Sequence, residues 1–126
     1  MNESTGLIKD ESLQQPVPPA WRSTIEKIVD SLVCGNFQLV GIECVRSQPL
    51  DDAQRLRKGI EQYGRRLTKL PVEAWETSVC LWMGLYWDVF IDLYTEEEGL
   101  SDLVLAIRIW ELDENLEFEV LSAHVP

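Results

Sequence analysis

The sequence predicts an α+β fold in which two N-terminal helices pack on one face of a four-stranded antiparallel β-meander. Two observations lead there. Apolar residues recur at a helical spacing of about 3.6 as far as Gly64, and beyond Pro71 the spacing shortens to 2. The strand candidates follow one another with only short turns between them. Neighbours therefore run antiparallel, and helices grouped ahead of strands cannot form βαβ crossovers.

Each element has its own signal. Residues 1–15 are polar and without apolar periodicity, and they run into Pro16, Val17, Pro18 and Pro19. This reads as a disordered leader over 1–17, followed by a single α+β domain over 18–126. Trp21, Ile25, Ile28, Val29, Leu32 and Val33 fall on one helical face, with Pro in the first turn and Gly35 and Asn36 as the stop. Phe37 to Gln48 is apolar in part but too briefly patterned to assign. Pro49, Asp51 and Asp52 then open a second helix, with Ala53, Leu56, Ile60 and Tyr63 as its apolar face and Gly64 as its end. Gly59, in the middle of that helix, costs about 1 kcal/mol relative to Ala and marks a close backbone approach. Four strands follow: Ser78 to Met83, Tyr86 to Tyr94, Asp102 to Glu111 and Leu116 to His124. Trp87, Val89, Ile91, Leu93, Leu103, Leu105, Ile107, Ile109, Leu116, Phe118 and Val120 point inward.

Composition narrows the function classes. The chain has 126 residues, 45% of them hydrophobic and 26% charged, which suits one globular domain. A net charge of −11 argues against a nucleic-acid backbone or an anionic membrane as partner. No apolar run approaches the roughly 18 to 20 residues of a membrane span, and the N-terminus lacks the order of a signal peptide, so the expected location is the cytoplasm. Cys34, Cys44 and Cys80 form no metal-binding spacing, and His124 is the lone histidine, close to the C-terminus. The expectation is a protein with no metal, no cofactor and no catalytic residues.

The segment SVCLWMGLYWDVFIDLYTEEEGLSDLVLAIRIWE, Ser78 to Glu111, is preceded by a Pro-Pro-x-Trp helix ending in Leu32, Val33, Cys34, Gly35, Asn36 and Phe37. Over Pro18 to Pro126 the chain resembles an uncharacterised family of small, acidic, single-domain bacterial proteins, a resemblance that implies no assigned activity. In size and acidity it also looks like the immunity proteins that protect bacteria from toxins. The helix ending followed by a curved meander is similar to NTF2-like (cystatin-like) folds. That likeness implies an alternative function, a small-molecule or enzyme pocket between helices and sheet lined by Tyr63, Trp75 and Trp87 with Asp92 or His124.

Charge distribution supplies the candidate site. Residues 1–69 hold 10 basic against 9 acidic residues, whereas residues 70–126 hold Arg108 alone against 13 acids. Strand alternation gathers Trp82, Phe90, Tyr94 and Trp110 with Asp88, Asp92, Glu117 and Glu119 on the outward sheet face. Aromatics supply anchors and carboxylates steer and pair with Arg and Lys, so this face suits a basic protein partner. The expected function is a non-catalytic immunity protein that neutralises a basic, nuclease-like toxin. A covering by segment 37–48, or by a second copy in a homodimer, is the competing use of the same face.

Overall fold

The computed structural model describes residues 5–126. In chain order the elements are β1 (Gln14–Pro16), α1 (Pro19–Val33), α2 (Leu50–Tyr63), β2 (Leu67–Thr68), α3 (Ala74–Thr77), β3 (Val79–Trp82), β4 (Trp87–Thr95), β5 (Gly99–Glu111) and β6 (Leu116–His124). The fold is α+β, with an antiparallel sheet ordered β1-β3-β4-β5-β6 and with β2 paired to the end of β4 beyond β3. The expected meander is thus its β3 to β6 portion. The expected two helices and four strands are extended by β1, β2 and the single-turn α3, all too short to leave a periodic signal.

The strict alternation of β4 and β5 places the core. Val89, Ile91, Leu93, Leu105, Ile107 and Ile109 are fully buried on the inward face, against Trp21, Ile25, Ile28 and Val29 of α1 and Leu56 and Ile60 of α2. Trp21 meets Trp87 edge to face, ring centres 5.7 Å apart, and this fixes α1 against the start of β4. The α1 ending follows from Gly35, whose φ of 84° suits a residue without Cβ while its N–H caps the Leu32 carbonyl.

Gly59 has the close approach that its sequence position implied. A Cβ built there would lie 2.5 Å from the Ala123 carbonyl oxygen of β6, so α2 sits on the sheet edge at backbone contact. Segment 37–48 does not cross the outer face. It runs beside β6, where Val45 makes an isolated parallel bridge to Phe118 and the Gln48 amide donates to the Val120 carbonyl.

The leader departs from expectation. Residues 1–4 lie outside the described residues, but from Thr5 onward the segment packs on the domain. Gln14 to Pro16 pairs with β3, Val17 is fully buried, and Leu7 packs against the core. The Gln15 side chain bonds both ways with the Ile8 backbone, at 3.0 and 2.8 Å, which closes the segment into a loop. Lys9 lies 4.8 Å over the Trp82 ring and 3.1 Å from Glu111. An edge pairing of three residues, ended by a proline that also blocks further strand addition, has no pattern to read in advance.

Two outcomes test these contacts. Gly59→Ala gains about 1 kcal/mol of helix propensity, yet should destabilise the protein in urea melts by roughly 1 to 3 kcal/mol through overpacking against Ala123. Removal of residues 1–15 should lower stability by at least about 1 kcal/mol, because it strips β1 from β3 and uncovers Trp82; an unchanged melting temperature would mean that the segment does not pack in solution.

Candidate functional site

Parity along the strands decides which side chains reach the outer face. Asp88 pairs with Arg108, Phe90 with Ala106 and Asp92 with Val104 across β4 and β5. Arg108 pairs in turn with Glu119, and Trp110 with Glu117, across β5 and β6. Seven of the eight expected residues, Asp88, Phe90, Asp92, Tyr94, Trp110, Glu117 and Glu119, lie on this outer face and are partly exposed, while every inward neighbour on β4 is closed to solvent.

Trp82 is a correction. It pairs with the inward Trp87, and the two rings lie 5.1 Å apart, so Trp82 belongs to the inner face at the end of the sheet. Leu81, paired with Asp88, takes the outward place on β3. A four-residue connection joins Trp82 to Trp87, and cross-strand partners share a face. The all-apolar run from Val79 to Met83 carries no polar residue to mark its parity.

The carboxylates of this face are not bare. Arg46 arrives from the segment beside β6, and its guanidinium forks between two acids: Nε pairs with Glu117, and Nη1 lies 3.3 Å from Glu119 Oε2. The same guanidinium lies 5.8 Å from the centre of the Trp110 ring. Arg108 reaches Asp88 at 3.5 Å and stacks 3.9 Å over Tyr86, whose ring lies 4.9 Å from Trp110. Cation, aromatic and carboxylate therefore alternate across the sheet from Glu119 to Asp88. Counting the four expected carboxylates against these two guanidiniums leaves −2 on the face. The indole N–H of Trp110 is shielded from solvent and has no hydrogen-bond partner among the described residues.

Tyr94 stands toward the opposite end of the face. Its hydroxyl is pushed above the ordinary tyrosine range by burial first and then by the charges of Glu73, Asp92 and Glu76. That cluster makes this end the more negative one. Nearby, the Tyr63 hydroxyl donates to Glu98 at 2.8 Å and accepts the Asp102 N–H at 3.0 Å, which ties α2 to the hairpin between β4 and β5.

The residues named for a pocket between helices and sheet do not converge. Trp75 and Trp87 are core side chains, Tyr63 is engaged with the hairpin, Asp92 lies on the outer face, and His124 is exposed beside Ser122. Among the described residues, no three His, Cys, Asp or Glu side chains gather as a metal site, and no helix is long and apolar enough to cross a membrane. The open concavity of about 460 Å³ between Ser47, Pro49, Arg55 and Leu121 borders the Arg46 end of the face.

Sequence reasoning missed Arg46 and Tyr86 as parts of this surface, and it left Arg108, which strand alternation places outward, out of the candidate set. Arg108 had a signal, as the sole base of the C-terminal half on the outward side of its strand, and the structure sets it opposite Asp88. Arg46 had none, because 71 residues separate it from Glu117.

The molecule is thus an α+β domain with one sheet face buried under helices and the other presenting a charged aromatic surface. The chain belongs to the family described as Domain of unknown function (DUF7668), whose model matches residues 29–126. No curated protein and no solved structure matches it.

The two arginines should differ in their weight for stability. Arg46, half exposed, makes pairs of the solvent-screened kind, and Arg46→Met should cost under about 1 kcal/mol in denaturant melts. Arg108→Met should cost more, about 1 to 3 kcal/mol, because the Asp88 side chain, 18% exposed, loses its ion-pair partner.

Proposed function

We propose that the protein is a non-catalytic binding protein whose outer sheet face docks a basic protein surface, and that the partner is a nuclease-like toxin held inactive by an immunity protein. The observation that carries this reading is a rigid strand face left partly open, with Phe90, Tyr94 and Trp110 set among Asp88, Asp92, Glu117 and Glu119. Aromatic side chains at the centre of an interface supply most of its energy, and carboxylates around them favour Arg and Lys on the partner.

The chemistry is that of recognition. Asp88 and Asp92, four residues apart on one strand, stand about 13 Å from each other, too far to share a proton as an acid/base dyad. The partly paired carboxylates make the mode of recognition local exchange of ion pairs more than mimicry of a bare polyanion. Long-range attraction comes mainly from the surrounding C-terminal half, with its 13 acids.

The test uses the product of the neighbouring gene, since an immunity protein is expected beside its toxin. Association should slow markedly between about 20 mM and 150 mM salt while dissociation changes less. Trp110→Ala should weaken the complex by about 2 kcal/mol or more. Joint reversal to Lys at Asp88, Asp92, Glu117 and Glu119 should also weaken it, with the variant still folded by circular dichroism. Wild-type affinity for both variants would overturn the reading, and a homodimer in sedimentation that the same substitutions dissociate would replace the basic partner by a second copy.

A further inference from the structure

Resting on the docking face just proposed, we infer that its anchor is a guanidinium-reading site formed by Trp110, Glu117 and Glu119. Arg46 is the resident occupant, and an arginine of the partner displaces it.

The geometry defines the chemistry. One planar cation lies near an aromatic ring and spreads its N–H groups over two carboxylates from alternate residues of β6. Arginine fits such a site because its fork reaches both acids while its flat face meets the ring; a lysine ammonium offers a point charge and no such plane. The site therefore discriminates between the two basic side chains rather than attracting positive charge in general.

Arg46 is held in a way that lets its side chain leave. Its backbone is pinned independently: its N–H donates to the Phe118 carbonyl at 2.9 Å, and the neighbouring Cys44 carbonyl accepts the Phe118 N–H at 2.8 Å. Departure of the guanidinium therefore leaves the segment against β6 undisturbed. The side chain is 49% exposed, with solvent beside it to receive the charge. Exposed pairs and cation–π contacts of this kind each change an equilibrium by no more than about fivefold.

Arg46 also fills the site incompletely. The shielded Trp110 indole N–H needs an acceptor, and a guanidinium has only donors. The resident side chain keeps Glu117 and Glu119 paired in the free protein, and its exchange for a partner's arginine, the one basic side chain that fits the fork, supplies selectivity.

Fluorescein-labelled hexa-arginine and hexa-lysine peptides, titrated into the full chain by anisotropy at about 150 mM salt, test the inference. Arg46→Met should bind hexa-arginine about three- to fivefold more tightly than wild type, with a smaller gain for hexa-lysine. Arg57→Met, which removes the same charge from the exposed Arg57 and Glu61 pair on α2, should change binding less than twofold. Adding Glu117→Gln and Glu119→Gln to Arg46→Met should abolish the gain. Equal gains for the two Arg→Met variants would reduce the effect to net charge and overturn the inference, as would a gain that survives loss of both glutamates, or no binding by Arg46→Met. If reversal of Asp88 and Asp92 abolishes peptide binding while Arg46→Met changes nothing, the docking face stands and the resident occupant falls.

Discussion

The buried stripe of β4 and β5 is the constraint on which the outer surface depends. Val89, Ile91, Leu105 and Ile107 are closed to solvent under the helices, and side chains on a strand alternate. Burying that set leaves Asp88, Phe90, Arg108 and Trp110 no face but the outer one. A one-residue slip would bury charges and expose isoleucines, so the hydrophobic core fixes the register and through it the relative positions of the ion pairs and rings outside. The position of Arg46 follows from the same source at one remove. Phe118 is buried against the inward stripe, and its backbone holds the segment from which Arg46 reaches across β6.

Legibility tracked the range of the forces involved. The strands β4, β5 and β6 and both long helices were readable because each writes its own periodicity, and Gly59 was readable as a close approach because a helix interior seldom tolerates glycine without cause. The face of Trp82 is not legible because the run around it is apolar throughout and records no parity. The leader looks disordered by sequence because its order comes from other parts of the chain: β1 borrows its hydrogen bonds from β3, and Lys9 its position from Trp82 and Glu111. Segment 37–48 turns through left-handed conformations at Leu39 and Cys44, with φ of 57° and 66°, where sequence offers no glycine to announce them.

Charge was the least legible layer. Counting acids along the C-terminal half gave a strongly negative sheet, yet two arginines, one from each half of the chain, lie on it and pair with three of its four carboxylates. Such pairs contribute little to stability when exposed, and their value lies in geometry. They hold rings and carboxylates at fixed positions on a rigid sheet, an arrangement ready for recognition before any partner arrives.

The most direct measurement of the outer face as the place where arginine docks is a nitrogen-15 NMR titration of the full chain with hexa-arginine. The Trp110 indole signal and the amides of Glu117 and Glu119 should shift progressively, while the indoles of Trp21 and Trp87, buried on the inner face, stay in place. Shifts confined to the hairpin acids Glu96 to Glu98, with the Trp110 indole unmoved, would contradict the account.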